Sequence, residues 1–266
     1  MIGVFDSGLG GLTVVRALMD LLPDEDIIYL GDTARTPYGN KSRDTIIRYS
    51  LNNADFLVRH GADAVVIACN TASSFAYEAV KSTFQIPLFE VIGPGAQLAV
   101  QHSKKQIIGV IGTRATISSG IYEKKIKEIQ DNAVVVTAPC PLLVPLVEEG
   151  WLNRPETAMI VRKYLAPLKA RQIDTLILGC THYPVLRKLI QRKIGASVTL
   201  INSAEAIAMQ VQAQLCSFHG ERHPGSSSKG RCSIYVTDTA DQFQKTAHLI
   251  LRQRLTIMHA DLEYIP

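Results

Sequence analysis

The sequence predicts an α/β protein of two similar lobes, each built on a mostly parallel sheet, with an active site in the cleft between them. Three observations lead to this fold. Short apolar segments alternate with segments of helical periodicity, which is typical of parallel sheets covered by helices. One pattern of segments occurs twice, which indicates two lobes related by a pseudo-twofold axis. In both copies an apolar segment ends at a cysteine, Cys69 or Cys180.

The repeat is visible by direct alignment of the two halves. Residues 2–6 align with residues 108–112, and residues 60–71 align with residues 171–182. Ligands of such sheets bind beyond the carboxyl ends of the strands, so each cysteine is expected at the ligand-binding edge of its sheet. If the lobes face each other, the two thiols oppose one another across the cleft.

The first half predicts four strands and four helices. Residues 2–6 are an apolar run, and apolar positions 12, 14, 15, 18, 19 and 22 fall on one face of the helix that follows. Pro23 ends that helix. By the same arguments we expect strands at 27–30, 64–68 and 86–90, and helices at about 42–60, after Cys69 to about 84, and at 95–102.

The second half continues the alternation. Strands are expected within 106–114 and at 133–137, 174–178, 198–201 and 233–237, with helices at about 118–130, 155–170, 184–193, 203–215 and 240–253. Residues 139–145 and 217–231 are expected to be loops. The first lobe, with Cys69, is predicted to comprise residues 1–94 and 205–266, and the second lobe, with Cys180, residues 95–204.

The composition excludes several classes of protein. The net charge of +4 is spread along the 266 residues without a basic stripe, so no nucleic-acid partner is expected. The start resembles no signal peptide, and no apolar run approaches the ~20 residues of a membrane helix. A cytoplasmic protein without a membrane partner is therefore expected. Five cysteines in a reducing compartment argue against disulfides, and their spacing suggests no metal site.

Cys69 and Cys180 are the candidate catalytic groups. Each ends a strand and is followed by hydrogen-bonding residues, whereas Cys140, Cys216 and Cys232 have no such context and are interpreted as small buried residues. A free thiol has a pKa near ~8.5, so a neighbour must stabilise the thiolate.

Neighbouring side chains could assist the two thiols, and each has a simpler alternative role. His182 could serve Cys180, or it could cap or pack a turn. Asp6 could serve Cys69, or it could be the N-cap of the following helix. Arg35 could bind a free carboxylate, or it could pair with Asp32. The turn at residues 8–11 lacks the spacing of a phosphate-binding loop.

Five ordered motifs resemble those of the glutamate racemases, in the aspartate/glutamate racemase family. They are GVFDSGLGGLTV (3–14), GDTARTPYG (31–39), ACNTAS (68–73), VPLVEEG (144–150) and LGCTHYP (178–184). The likeness covers almost the whole chain. One departure is Asn202, where the family often has Asp.

The resemblance implies a racemase that needs no cofactor, acts on L- and D-glutamate, supplies D-glutamate for peptidoglycan and forms a homodimer. One thiolate removes the α-proton while the opposing thiol protonates the other face. The resemblance assigns Cys69 to the D-isomer, Cys180 to the L-isomer, and auxiliary roles to Asp6, His182 and Glu148. The implied substrate-binding residues are Asp6, Ser7, Tyr38, Gly39, Asn70, Thr71, Thr181 and His182.

Some of these residues have simpler interpretations, and other functions stay open. Tyr38 could be a surface loop residue, and Glu148 a solvated helix terminus. A racemase for aspartate or a hydantoin, a decarboxylase with one thiol, and a non-catalytic binding protein are the rival functions. The presence of both Cys69 and Cys180 disfavours the decarboxylase. No pyridoxal-binding lysine is evident, and the two-thiol reaction requires none.

Overall fold

The computed structural model describes residues 1–219, 229–238, 241–252 and 256–262, and in them strands and helices alternate as predicted. The strands are β1 (Ile2–Asp6), β2 (Ile27–Gly31), β3 (Ala64–Ile67), β4 (Leu88–Glu90), β5 (Ile107–Gly112), β6 (Val134–Pro139), β7 (Thr175–Gly179), β8 (Thr199–Asn202), β9 (Cys232–Val236) and β10 (Ile257–His259). The helices are α1 (Leu12–Leu21), α2 (Arg43–Arg59), α3 (Asn70–Thr83), α4 (Ile92–His102), α5 (Arg114–Ser118), α6 (Ile121–Ile129), α7 (Leu143–Glu148), α8 (Pro155–Ala170), α9 (Arg187–Ile194), α10 (Ser203–His219) and α11 (Asp241–Leu251).

The described strands form two sheets, and every neighbouring pair is parallel. The first sheet has the order β10-β9-β2-β1-β3-β4, and the second has the order β6-β5-β7-β8. β1 and β5 hold equivalent places, because each lies between the next strand of the chain and the strand that leads to a cysteine. The predicted fold of two similar parallel α/β lobes is confirmed.

The repeat extends to the register of the strands. Ile2 pairs with Ala64 in the first sheet, and Ile108 pairs with Thr175 in the second. The sequence alignment of the two halves makes Ile2 equivalent to Ile108 and Ala64 equivalent to Thr175, so the two pairs correspond. β1, β3 and β7 are buried along their whole length, which explains why their sequences are continuously apolar.

The chain crosses between the sheets twice, through α4 and through α10, and these two helices pack against each other. One hydrophobic cluster includes residues of both sheets, among them Val4 and Val110. Two further clusters cover the outer faces of the second and first sheets. The lobe boundaries predicted after residues 94 and 204 fall inside the crossing helices, and the division itself stays a prediction.

Two predicted helices have different bounds in the structure. α4 begins at Ile92 rather than at 95, because Pro94 is tolerated in a first turn and Glu90 accepts the N–H groups of Ile92 and Gly93 at 2.5 and 2.8 Å. The helix predicted at 118–130 begins only at Ile121, as α6, after Gly120, whose φ of 66° is readily available to glycine. The short helix α5 before it, at Arg114–Ser118, was not predicted.

Two other elements were missed. α7 lies partly in the predicted loop 139–145, because Pro145 falls in the first turn of a helix and does not prevent it. β10 is too short to show a pattern, yet it pairs with β9 at the edge of the first sheet. Most of the predicted loop 217–231 lies outside the described residues. Among the described helices, none combines the length and apolarity required to cross a bilayer.

Candidate active site

Cys69 lies directly beyond β3, at the N-cap position of α3. Its side chain is only 5% exposed, and its thiol donates a long hydrogen bond of 3.6 Å to the hydroxyl of Ser7. Burial and the negative charge of Asp6 raise the pKa of the Cys69 thiol to about 12, against the opposing effect of the Ala72 backbone N–H. Cys69 is therefore a protonated thiol in this state and can donate a proton.

Cys180 lies beyond β7 and has a basic neighbour. Its sulfur is 3.8 Å from Nδ1 of His182, and Nε2 of the same ring is 3.1 Å from a carboxylate oxygen of Glu148. Burial alone would lower the pKa of His182, but the hydrogen bonds with Cys180 and Glu148 raise it to about 10. The ring is therefore an imidazolium at neutral pH, and its positive charge lies beside the sulfur of Cys180.

Asp6 connects the two sheets. It is fully buried at the end of β1, where it accepts hydrogen bonds of 3.1 Å from the backbone N–H of Gly8 and from the hydroxyl of Thr181. Burial raises the pKa of Asp6, although the charge of His182 and these hydrogen bonds oppose that effect. The N-cap of α1 is Gly11, so the alternative role of Asp6 as that N-cap is wrong.

The glycine-rich turn after β1 allows the two sheets to approach closely. A Cβ on Gly10 would lie 2.4 Å from the hydroxyl oxygen of Thr181 and 2.5 Å from Nδ1 of His182. A Cβ on Gly8 would lie 3.4 Å from a carboxylate oxygen of Glu148. The absence of side chains at these positions lets the first-sheet turn lie against the loop that carries Cys180.

Asn70 is the first residue of α3 and is 2% exposed. The hydroxyl of Tyr122, from α6, donates to its side-chain oxygen at 2.6 Å. Its side-chain nitrogen is buried and has no hydrogen-bond partner in the structure. A buried donor without a partner is uncommon, and it is available to a ligand that accepts hydrogen bonds.

Thr71 is part of a triangle of hydroxyl groups that spans the two sheets. Its hydroxyl lies 3.0 Å from that of Thr113 and 3.1 Å from that of Thr116, and the last two are 3.0 Å apart. Gly39 approaches the same place, because a Cβ there would lie 2.6 Å from Cβ of Thr113. The loop after β2, the start of α3 and the start of α5 therefore meet next to Cys69, the N-cap of α3.

Tyr38 is fully buried in the loop after β2, so the alternative that it is a surface residue is wrong. Its hydroxyl donates to Asp32 and accepts from the side-chain amide of Asn53 at 2.9 Å. Arg35 forms an ion pair with Asp32 at 2.7 Å, which is the second of the two roles considered for it from the sequence. The Tyr38 hydroxyl is therefore already hydrogen-bonded to Asp32 and Asn53. A contact between Tyr38 and the substrate stays a prediction, and it would be made by the backbone of Tyr38.

The structure brings the predicted site residues together where the carboxyl ends of β1, β3 and β7 meet. The sequence analysis missed three neighbours, Thr113, Thr116 and Tyr122. The repeat contained a signal for the first: in the alignment of residues 2–6 with 108–112, Ser7 is equivalent to Thr113. Tyr122 and Thr116 have no equivalent signal, because hydrogen bonds between separate helices leave no local pattern.

Cys140 shares a buried cluster with Cys180, whereas Cys232 lies apart in β9. Cys140 is buried and its thiol donates to the backbone oxygen of Ala138 at 3.5 Å, while Cys232 is half-buried in β9. Both are free thiols. Within the described ranges, no three or more His, Cys, Asp or Glu side chains are grouped as metal ligands. The side chain of Cys216 lies outside the described residues.

Comparisons with known proteins identify the family of this chain. A model of the Asp/Glu/hydantoin racemase family matches residues 11–211. The glutamate racemase of Persephonella marina is 46% identical over 264 residues, which cover 99% of this chain and 98% of that protein. The crystal structure of a Bacillus anthracis glutamate racemase isoform superposes with a TM-score of 0.92 at 36% identity, covering 98% of this chain and 97% of the other. The Francisella tularensis glutamate racemase in complex with D-glutamate gives a TM-score of 0.90 at 36% identity and the same coverage.

Proposed function

We propose that this chain, which belongs to the Asp/Glu/hydantoin racemase family, interconverts L- and D-glutamate without a cofactor, using Cys69 and Cys180 for the two proton transfers. The family predicted from the sequence, and with it an isomerase of the racemase type, is confirmed by the family match and the full-length relatives. Glutamate is the proposed substrate because these relatives are glutamate racemases, one of them in complex with D-glutamate.

The equivalent positions of two buried sulfurs support the two-thiol mechanism most directly. Cys69 and Cys180 follow strands that hold the same place and register in the two sheets. Asp6, at the end of β1, and Thr181, just beyond β7, are hydrogen-bonded between those sheets, and β1 pairs directly with β3.

The proposed reaction breaks one Cα–H bond and makes another on the opposite face. With L-glutamate, the Cys180 thiolate takes the α-proton, an S–H bond forms, and the electron pair stays on the substrate as a carbanion next to the carboxylate. The Cys69 thiol then gives its proton to the other face of Cα and is left as a thiolate. With D-glutamate the same steps run in reverse, so Cys69 is the base and Cys180 the acid.

The surrounding polar groups supply the electrostatic part of the proposed catalysis. A carbanion beside a carboxylate concentrates negative charge, and fixed hydrogen-bond donors that stabilise such charge are usually the largest single contribution to catalysis. The amide of Asn70 and the hydroxyls of Thr71 and Thr181 are the proposed donors. Asp6, Ser7 and the backbone of residues 38–39 are the proposed remaining substrate contacts, and D-glutamate for peptidoglycan is the proposed use of the product.

Solvent exchange tests the proposal. The enzyme is incubated with L- or D-glutamate in D₂O, and deuterium at Cα and optical rotation are followed. The wild type should incorporate deuterium into the enantiomer it forms. Exchange with aspartate but not with glutamate would indicate another substrate, and no exchange with any amino acid would indicate a non-catalytic protein.

Removal of either sulfur tests the two roles separately. Cys69→Ala and Cys180→Ala should each lower racemisation by about 10³-fold or more, because each direction needs both groups. Any exchange that remains should be confined to L-glutamate in Cys69→Ala and to D-glutamate in Cys180→Ala. Cys232→Ala, in β9, is the matched control and should keep the wild-type rate. Near-normal turnover by either site variant would contradict the mechanism.

A further inference from the structure

We propose that Tyr122 is a positioning residue of the active site, whose hydroxyl fixes the side-chain amide of Asn70 so that its N–H group faces a carboxylate of the substrate. This inference rests on the racemase function proposed above and adds a residue to it. Tyr122 itself need not touch the substrate.

The contact between the two side chains is short and buried. Tyr122 and Asn70 are each 2% exposed, and the tyrosine hydroxyl donates to Oδ1 of Asn70 at 2.6 Å. Water is thereby excluded as a competitor, so this bond determines how the amide is rotated. A side-chain amide has an acceptor end and a donor end, and fixing the acceptor end fixes the direction of the donor.

The donor end of the amide is free. Nδ2 of Asn70 is buried without a hydrogen-bond partner, and Asn70 directly follows Cys69. Buried polar atoms are nearly always paired in folded proteins, so an unpaired donor at this position indicates a group that a ligand completes. A carboxylate accepts hydrogen bonds and cannot donate them when ionised, which makes it the matching ligand group.

The tyrosine is held in the form that donates. Burial and the charges of Glu90 and Cys180 raise the pKa of Tyr122 well above its ordinary value. The phenol therefore stays protonated, and its hydrogen is directed to Oδ1 rather than to Nδ2. In the opposite orientation, Asn70 would present an oxygen to the substrate and repel its carboxylate.

The bond also depends on how the sheets are arranged. Tyr122 lies on α6, between β5 and β6 of the second sheet, whereas Asn70 begins α3, after β3 of the first sheet. The amide is consequently held only while these two parts of the molecule are in contact. Tyr122 thus makes the orientation of a substrate-binding group depend on the packing of the second sheet against the first.

A double-mutant cycle tests the inference on the full chain. Tyr122→Phe should lower kcat/KM for both enantiomers by roughly tenfold, mainly through KM, because a carboxylate contact is made in the ground state as well as in the transition state. Asn70→Ala should lower it further. In the Asn70→Ala background, Tyr122→Phe should cost less than about twofold, since Tyr122 acts through an amide that is no longer there.

A second buried tyrosine provides the matched control. The hydroxyl of Tyr183 donates to the backbone oxygen of Cys140 at 2.9 Å and does not reach Asn70. Tyr183→Phe should lower kcat/KM by the same factor in the wild type and in the Asn70→Ala background. If Tyr122→Phe also lowers kcat/KM by the same factor in the wild type and in the Asn70→Ala background, the positioning role is wrong. If the wild type fails to exchange glutamate, the proposed function fails as well.

A third variant tests the direction of the amide even if Tyr122→Phe folds poorly. Asn70→Asp keeps an acceptor for Tyr122 but replaces the donor with a second oxygen. It should therefore be more damaging than Asn70→Ala, by about tenfold in KM, because two carboxylates would face each other. If Asn70→Asp binds glutamate better than Asn70→Ala does, the amide faces the substrate with its oxygen and the inference is overturned.

Discussion

The two cysteines occupy equivalent backbone positions in similar sheets, but their surroundings carry opposite charge. Cys180 lies beside His182, whose pKa is raised to about 10, and Glu148 lies behind that ring. Cys69 lies beside the carboxylate of Asp6 and the hydroxyl of Ser7, and its own pKa is raised to about 12. The repeated fold gives the two sulfurs matching places, and the side chains then place a cation beside Cys180 and an acidic group beside Cys69.

In the proposed mechanism, this difference prepares the free enzyme for L-glutamate, because Cys69 is protonated and Cys180 has a cation beside it. L- and D-glutamate have equal free energy, so kcat/KM must be the same in both directions however unequal the two thiols are. The asymmetry therefore concerns the protonation of the resting enzyme. In the proposed mechanism, the proton must return from Cys180 to Cys69 after a turnover from L to D before the next turnover can begin.

Replacement of His182 should have the largest effect on this asymmetry. His182→Asn removes the cation beside Cys180 and should lower kcat by about 10²–10⁴-fold, the typical contribution of a positioned acid–base group. Steady-state racemisation in both directions measures it. His60→Asn is the control, because that ring stacks on Phe56 at the end of α2. A loss below tenfold in His182→Asn would mean that the cation is not what distinguishes the two thiols.

Replacement of Glu148 should have an intermediate effect that depends on pH. Glu148→Gln removes one of the groups that raise the pKa of His182, so the ring should lose its proton at a lower pH. Activity that depends on the imidazolium is present below that pKa and is lost as the pH rises through it. The alkaline limb of the kcat profile should therefore move to lower pH, with about tenfold lower activity above neutrality.

The neighbouring acidic residue is the control for this pH effect. Glu149 is exposed, and Glu149→Gln should leave the alkaline limb in its wild-type place. If Glu148→Gln and Glu149→Gln have the same profile, the carboxylate of Glu148 does not act through His182.

Replacement of Ser7 should have the smallest effect. The contact from Cys69 to Ser7 is long, and a neutral hydrogen bond contributes only about 1 kcal/mol, so Ser7→Ala should lower kcat by about fivefold at most. Loss of the proposed contact between Ser7 and the substrate should instead raise KM. Turnover from both enantiomers measures it, with Ser118→Ala in α5 as the control. If the loss of kcat in Ser7→Ala approaches that in His182→Asn, both thiols depend equally on their neighbours, and the proposed difference between Cys69 and Cys180 is wrong.

The fold could be predicted well because each apolar strand can be recognised from its own residues. The repeat then relates the strands of one half to those of the other. β1, β3, β5 and β7 could be recognised one by one, and their parallel pairing follows from the helices between them. The helix α7 was missed because a proline in a first turn looks like a loop residue. The short edge strand β10 gave no pattern of its own.

The site was predicted in part for the same reason. Cys69, Cys180 and the residues that follow them lie at the ends of recognisable strands. Glu148 was assigned only through the family resemblance, because its contact with His182 joins two segments that are distant in sequence. Tyr122 and Thr116 were not found at all. They follow β5 of the second sheet, whereas their partners Asn70 and Thr71 lie on α3, which follows β3 of the first sheet.

The order of the strands has a consequence for synthesis of the chain. The second sheet is complete once residue 202 has been made, but the first sheet waits for β9 and β10 near the end of the chain. Until then the outer edge of β2 exposes unpaired backbone groups, the kind of edge that promotes aggregation. During synthesis, the sheet that is begun first is therefore finished last, and its open edge is the one exposed for longest.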